Sequence, residues 1–512
     1  MSVDILIFTG GTDIGFFRPL GAYRIATELR KHNYSVQVVD VFPFLVQDNL
    51  DNYLKIIDKF VGPNTLWVGF SSTFFLNRRA LSDHHKQQKH KTSDAIFQFD
   101  DGGLSIPNEF VKPLRDIILA KNSKCKLVMG GSKASARMGR VIDIYVEGYA
   151  DTSVIKMTRW IEGKNPFFQF SRNRDDFSIS VIDDPKAAHF DFVNSDTVWD
   201  KSDFIRPDEV LPIELSRGCI FSCSFCSYPL NGKKKIDYIR DPDILIDEIT
   251  RNYELYGTTE YLYGDDTHND SVEKLELLYN KVYSRLPFKI HFYTYLRLDL
   301  LAAKPHTAQL LLDSGLRGCF FGIESLNYES AKTIGKGIKS ERVVETLHKL
   351  KELWKDDVIT AGGFIVGLPH DTPETIKNWT DIIVKPDFPL HSVSIYPLSM
   401  PKISELKLWK SDLELNPEKY GYHYPYPNRP RHWANSSTGM TFQLANQLAN
   451  EAVTKASFNS KKLGPLMIPG LLNLGFTFEQ VKKYQSDQSV LSGSHLRRHT
   501  INTEYINNIL NQ

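Results

Sequence analysis

Apolar residues fall into two kinds of run along this chain. Before residue 150, short and nearly continuous ones (DILIF, SVQVV, TLWVGF, AIFQF, CKLVM, VIDIYV) have the length of buried strands. Between the first two, PLGAYRIATELRKHN places Leu20, Tyr23, Ile25, Ala26 and Leu29 at helical spacing, with Pro19 near its start. A strand, a helix and a second strand in this order predict a parallel α/β sheet. Strands that are apolar throughout, and not alternating, predict helices on both of its faces. Residues 150–162 read as a closing amphipathic helix, and the aromatic, Asp-rich stretch after it reads as a packed linker.

The alternation resumes near residue 205. Strand patterns in PIELS, TEYLYG, KIHFYTY, GCFFGIES, TAGGFIVG and HSVSIYP are separated by helical ones such as DPDILIDEITRNYELYG and KSERVVETLHKLKELWK. Repeated strand–helix units predict a partial barrel with its chemistry at the carboxyl ends of the strands. After residue 400 a proline- and tyrosine-rich patch (Tyr420, Tyr422, Tyr424, Tyr426, Trp433) reads as a brace or lid over the barrel. Helices at 441–458 and from about 476 follow, with a short helix in the tail. The expected fold class is α/β. It comprises a Rossmann-like domain (1–165), a linker (166–204), a partial (β/α)6 barrel (205–400) and a mainly helical C-terminal segment (401–512).

Composition narrows the function classes. With 512 residues the chain exceeds one ordinary core. Lys+Arg of 62 against Asp+Glu of 61 leaves a net charge of +1, which offers nucleic acid no global field. No stretch of 18 apolar residues predicts a membrane span, and MSVDILIFTGG reads as a first strand with no basic leader, so a cytoplasmic protein is expected.

Five cysteines occur, and three of them, Cys219, Cys223 and Cys226, stand in a C-x3-C-x2-C spacing directly after the strand LPIEL. Clustered thiols in a chain with no disulfide framework point to a metal centre in a reducing compartment. Three thiolates leave a zinc ion or a four-iron cluster one ligand short, which is how a reactive site differs from a closed structural one. For zinc, the nearest downstream histidine is His268, far from finger spacing. Cys125 and Cys319 sit in apolar strand contexts and read as buried, inert thiols.

At the carboxyl ends of the N-terminal strands lie Gly10, Gly11 and Thr12, then Ser71, Ser72 and Thr73, then Gly130 and Gly131, then Glu147 and Gly148. Small residues there admit a bulky ligand against the backbone. No G-x-G-x-x-G opens the first helix, so this is not a dinucleotide fingerprint.

The cysteine spacing after a first barrel strand resembles the radical S-adenosylmethionine (SAM) enzymes. The resemblance implies that Cys219, Cys223 and Cys226 hold a 4Fe-4S cluster whose open iron is chelated by SAM. Phe225 between the last two cysteines is usual in that family. Gly264, Asp265 and Asp266, after the second strand, match the family's position near the methionyl amine. Arg297 matches the arginine after the third strand, Gly322 and Glu324 the strand beneath SAM, and Ile365 the adenine side. The resemblance further implies a one-electron donor such as flavodoxin or ferredoxin, and a small-molecule or peptide substrate that no residue identifies.

RPLGAYRIATELRKHNYSVQVVD, with VGFSST, VMGGSKA and VEGYAD, resembles the cobalamin-binding domain that precedes many radical SAM domains. It implies that the small residues from Gly10 to Gly148 face a corrin. The Asp-x-His-x-x-Gly loop of classical cobalamin domains is absent, since the position reads TDIGFFRPLG. The leading expectation is a cobalamin-dependent radical SAM methyltransferase acting on an unactivated carbon. The alternatives are a non-methylating rearrangement, cyclisation or oxidation, and an iron–sulfur nucleic-acid-modifying protein using the tyrosine patch.

Overall fold

The computed structural model describes residues 2–10, 17–42, 44–45, 50–71, 75–77, 99–100, 103–106, 108–131, 141–165, 171–173, 177–183, 190–228, 230–234, 237–400, 409–426, 432–456, 464–484 and 488–512. The chain divides into two compact units. One comprises Met1–Asp191, Asp196–Pro207 and Ser492–Gln512; the other comprises Phe192–Ser195 and Asp208–Leu491.

The first unit is built on strands β1 (Ile5–Phe8), β2 (Val36–Val39), β3 (Trp67–Ser71), β7 (Lys126–Gly130), β8 (Ile144–Gly148), β9 (Ser171–Asn173) and β10 (Ile179–Asp183), ordered β2-β1-β3-β7-β8-β10-β9. All neighbours are parallel except the β9–β10 pair. Strands β4 (Phe75–Asn77), β5 (Phe99–Asp100) and β6 (Gly103–Ile106) make a separate small sheet. The helix Leu20–Lys31 crosses from β1 to β2, and its buried Tyr23, Ala26 and Leu29 supply the apolar stripe read in the sequence. Phe8, Phe42 and Phe70 pack with centroids 5.1–5.6 Å apart, filling the core with aromatic area.

Two parts of this unit depart from the expected pattern. The stretch read as a linker contributes β9 and β10 to the sheet, because the five-residue run Ile179–Asp183 pairs in register with β8. The tail read as a short helix is a 24-residue helix, Gln488–Asn511. Its Tyr505 hydroxyl donates to the Val38 carbonyl and accepts from the Asp40 amide, each at 3.2 Å, and Lys59 Nζ donates to the carbonyls of Ile509 and Leu510 at 2.9 Å.

The second unit is a parallel sheet of six strands in consecutive order: β11 (Leu211–Ile213), β12 (Glu260–Tyr263), β13 (His291–Leu296), β14 (Leu316–Glu324), β15 (Ile359–Val366) and β16 (Ser392–Pro397). All six coincide with the strands expected from the sequence, and a helix crosses each gap. The helices start where local chemistry satisfies their first N–H groups. Asp241 accepts from the amides of Asp243 and Ile244 ahead of Pro242, and Thr372 and Thr375 form a reciprocal cap ahead of Pro373. The register sets Tyr295 beside Phe320 and Gly322 beside Gly363, so one row of side chains faces inward.

A hairpin of β17 (Tyr422–His423) and β18 (Ala434–Asn435) braces the barrel. Tyr422 OH donates to the Gly367 carbonyl at 2.7 Å and Trp433 Nε1 to the Leu398 carbonyl at 2.9 Å. The inner members of the tyrosine patch are thus spent on the barrel's own backbone. No helix among the described residues is long and apolar enough to cross a membrane.

Candidate functional site

The cysteine loop leaves β11 at the carboxyl end of the barrel. Gly218 turns it with φ +128°, and a side chain there would meet the Leu230 carbonyl at 2.9 Å. The loop is pinned by its own backbone: the Cys219 amide donates to Leu230 O, the Lys233 amide to Cys219 O, and the Cys226 amide to Cys223 O, at 3.0–3.1 Å. Cys219 is buried; Cys223 and Cys226 are half-buried, as is Phe225 between them. Burial pushes the Cys219 and Cys226 thiols up from their ordinary pKa, so a positively charged group is needed before either ionises readily.

Arg297 supplies positive charge at this loop. Its Nη1 donates to Cys223 Sγ at 3.1 Å and its Nη2 to the Gly335 carbonyl at 2.9 Å, while the guanidinium lies 3.7 Å from the centre of the Phe221 ring. Asp299 pairs with the same guanidinium, so a salt bridge coexists with the sulfur contact. Asn269 fixes the arginine from behind: its side chain donates to Arg297 O and accepts from Arg297 N, at 2.9 and 2.8 Å. A second donor reaches the loop at Cys226 Sγ, from Asn231 Nδ2 at 3.2 Å. Donors aimed at two of three sulfurs fit an anionic sulfur-ligated group.

The paired aspartates separate in role. Asp265 is fully buried and bound to the Leu215 and Ser216 amides and the Ser216 hydroxyl. Burial would raise its pKa, but the Lys274 ammonium first, and then the neighbouring His268 ring and the Ser216 hydroxyl, hold it down at about 2. Asp266 keeps a buried Oδ2 with no hydrogen-bond partner. Burial first, then the charges of Glu214 and Asp265, lifts its pKa to about 7. It is not a helix cap, because Ser271 caps the helix Val272–Lys281. A buried carboxyl without a partner is costly, and an ammonium group would relieve that cost.

Glu324 ends β14 with φ +67°, a left-handed conformation uncommon outside glycine. Burial raises its pKa, against the pull of Lys336 3.7 Å away. A Cβ on Gly322 would meet Glu324 Oε1 at 2.5 Å and Lys336 Nζ at 3.2 Å, so the glycine makes room for this pair. Gly264 is exposed after β12 and Ile365 is half-buried on β15. Tyr228, Tyr295 and Tyr396 are exposed, and the last two lie on inward-facing strand positions.

His268 stands away from the thiols, fully buried with its ring centre 5.2 Å from those of Tyr263 and Phe292, and burial lowers its pKa toward the neutral form. It does not supply the fourth ligand a zinc site would require. Cys125 and Cys319 are buried, with burial raising both thiol pKa values, as expected for inert thiols.

In the first unit, Gly10, Ser71, Gly130 and Gly131, and Gly148 follow or end β1, β3, β7 and β8, which are neighbours in the sheet, so the fold gathers them along one edge. The sheet order reverses between β1 and β3, the place where open α/β sheets take ligands. A Cβ on Gly130 would meet nothing within 4 Å, and the Thr9 hydroxyl beside Gly10 is buried without a partner. An open strip of glycine with an orphan hydroxyl fits a broad, flat ligand. Glu147 instead points into the sheet, where its Oε1 accepts from Ser180 Oγ at 2.6 Å. Gly11, Thr12, Ser72 and Thr73 lie outside the described residues, as do His84 and His85.

Sequence reasoning missed Ser216, Asn231, Tyr238, Asn269, Asp270 and Lys274. The dense polar run DDTHND after an apolar strand was a signal for two of them; Lys274 looks like any lysine on a helix face.

Comparison with known proteins agrees with this geometry. The radical SAM superfamily model matches residues 213–383. The bacteriochlorophyllide d C-12(1)-methyltransferase of Chlorobaculum tepidum is 27% identical over 208 residues, covering 39% of this chain and 43% of that protein. The anaerobic magnesium-protoporphyrin IX monomethyl ester cyclase of Cereibacter sphaeroides is 25% identical over 272 residues, covering 49% and 43%. The chain thus spans under half the length of these curated relatives. Among solved structures, the radical SAM methyltransferase TsrM from Kitasatospora setae, with cobalamin and a 4Fe-4S cluster bound, superposes with a TM-score of 0.60 at 14% identity, covering 98% of this chain and 100% of that one. Residues 213–383 are therefore a radical SAM domain, in a chain that shares its fold with cobalamin-binding radical SAM enzymes.

Proposed function

We propose that this protein is a cobalamin-dependent radical SAM enzyme, and specifically a methyltransferase acting on an unactivated carbon. The observation that carries the reading is the Arg297 N–H bond to Cys223 Sγ at the mouth of the barrel, which gives the three-cysteine loop a cationic partner. Cys219, Cys223 and Cys226 would hold the cluster. Asp266 would accept from the methionyl ammonium of SAM, Glu324 from its ribose hydroxyls, and Ile365 would lie along the adenine. The glycine edge of the first unit, with Ser71 and the Thr9 hydroxyl, would take the corrin.

When bound, the cluster and SAM supply a primary carbon radical, and the corrin a methyl group. The chain's own share is placement and exclusion of water. Arg297 offsets negative charge at the sulfurs, Phe221 covers that guanidinium, and Phe320 with Tyr295 walls the inward face at a centroid distance of 5.7 Å. The methyltransferases among the similar proteins favour methyl transfer; the similar cyclase favours a ring-forming alternative.

The test is anaerobic reconstitution with iron, sulfide and hydroxocobalamin, then incubation with methyl-labelled SAM and a low-potential reductant. Formation of 5′-deoxyadenosine with label moving to the corrin supports the methyltransferase. Deoxyadenosine formation with no label leaving SAM favours the cyclase-like alternative, and absence of iron at the cysteines removes both.

A further inference from the structure

Beneath the cysteine loop lies a cluster of charge with no access to solvent. The side chains of Asp265, Asp270 and Lys274 are all 0% exposed, and Lys274 Nζ sits 3.4 Å from a carboxylate oxygen of each aspartate. Lys274 Nζ also donates to Ser216 Oγ at 2.6 Å and to the Thr267 carbonyl at 2.8 Å. Burying an ammonium and two carboxylates is costly, so what they hold in return is informative.

Their remaining partners are in the cysteine loop and the strand end leading to it. Asp265 accepts from the Leu215 amide at 2.7 Å, the Ser216 amide at 3.2 Å and the Ser216 hydroxyl at 2.7 Å, all on the approach to Cys219. Asp270 accepts from the Ile220 amide at 3.2 Å, on the exit from Cys219, and from Tyr238 OH at 2.7 Å. The two carboxylates therefore grip the chain on either side of one cysteine, and the single ammonium lies between them. Among the ionisable groups facing the cluster, His268 has Nδ1 3.9 Å from Asp265 and is driven toward its neutral form, Tyr238 donates its hydroxyl to Asp270, and Asp266 and Cys219 lie close enough to interact with Asp265 and Asp270 respectively.

We propose that Lys274 is the positioning residue of the cysteine loop. By bridging Asp265 and Asp270 it presets the backbone from Leu215 to Ile220, and with it the direction of the Cys219 thiol, before any metal arrives. The inference rests on the proposed function only in taking Cys219 as a cluster ligand; the grip on the backbone stands without it.

The test separates the two. Hydrogen exchange is measured by mass spectrometry on the full chain, free of cluster, for the wild type, Lys274→Met and Asp270→Ala. Lys274→Met should speed exchange in peptides covering 214–221 at least tenfold, with peptides from β15 unchanged. Asp270→Ala should speed it only on the Ile220 side. Where Lys274→Met does not fold, Asp270→Ala decides: faster exchange confined to the loop supports the clamp, and unchanged or barrel-wide exchange overturns it.

In chains then reconstituted with ferrous iron and sulfide, Lys274→Met should bind several-fold less iron. The clusters that do form should show shifted electron paramagnetic resonance g-values after reduction, which general destabilisation would not produce. Unaltered g-values together with unaltered loop exchange would reject the assignment. Failure of the wild type to take up iron would instead reject the cluster reading and leave the exchange result to judge the clamp.

Discussion

The two units offer their ligand sides in opposite ways. The described edge of the first sheet is rich in small residues: Gly10, Gly130, Gly131 and Gly148 follow or end its strands, a Cβ on Gly130 would meet nothing within 4 Å, and Glu147 is turned into the sheet toward Ser180. The mouth of the barrel is crowded with charge, and most of it is paired specifically, Arg297 with Cys223 and Asp299, Lys336 with Glu324, Lys274 with Asp265 and Asp270, while Asp266 is left over. A bare edge selects by shape and tolerates small changes. A charged mouth selects by individual atoms, so one substitution there does disproportionate damage.

The sharpest way to break this contrast is Cys223→Ala. It should abolish cluster incorporation, measured as iron and sulfide per chain, and lower 5′-deoxyadenosine formation by more than about a hundredfold, because an iron loses its only thiolate. Retained cleavage of SAM would show that the mouth does not work through this loop. Arg297→Gln comes next. Losing a charged N–H···S bond should move the cluster's reduction potential more negative, by roughly 60 mV for a tenfold change in a one-electron couple. Redox titration of the reconstituted protein reads this directly, and an unmoved potential would reduce Arg297 to packing.

On the bare edge, Gly130→Val fills space that is open now. Corrin affinity should fall about tenfold while SAM cleavage by the mouth survives, which visible absorption and deoxyadenosine assays distinguish. Equal loss of both would erase the division of labour.

A smaller effect tests Asp266 by pH. Its folded pKa of about 7 lies above the ordinary aspartate value of 3.8, so this group's contribution to stability falls as pH rises between those values and is constant beyond them. Ionisation above about 7 creates the carboxylate that attracts an ammonium. SAM binding to the reconstituted protein should therefore strengthen severalfold from pH 6 to 8, and Asp266→Asn should flatten the profile. The smallest expected effect is Tyr505→Phe, which removes the hydroxyl's bonds to the Val38 carbonyl and the Asp40 amide and should cost about 1 kcal/mol of unfolding free energy. Activity per folded molecule should stay unchanged.

Much of this protein is determined locally and could be read as such. Every barrel strand is a short apolar run bounded by turn residues, and the three cysteines are a contiguous motif whose spacing carries its own chemistry. The polar run after β12 advertised a site, although not which of its aspartates is committed to the backbone. That Asp265 is committed to backbone amides while Asp266 is left without a partner depends on where Lys274 and the loop come to rest.

The tertiary structure alone decided the rest, because its causes lie far apart in the chain. The short run Ile179–Asp183 becomes a strand only because β8 offers it an edge. The last helix joins the unit with the first strand, since the hydroxyl of Tyr505 reaches Val38 and Asp40 across more than four hundred residues of sequence. Lys274 is unremarkable in its helix, and only burial between two carboxylates turns an ordinary lysine into the fastening of the cysteine loop. Periodicity and motif spacing report what neighbours in sequence do together; they carry no information about which distant charge will lie 3.4 Å away.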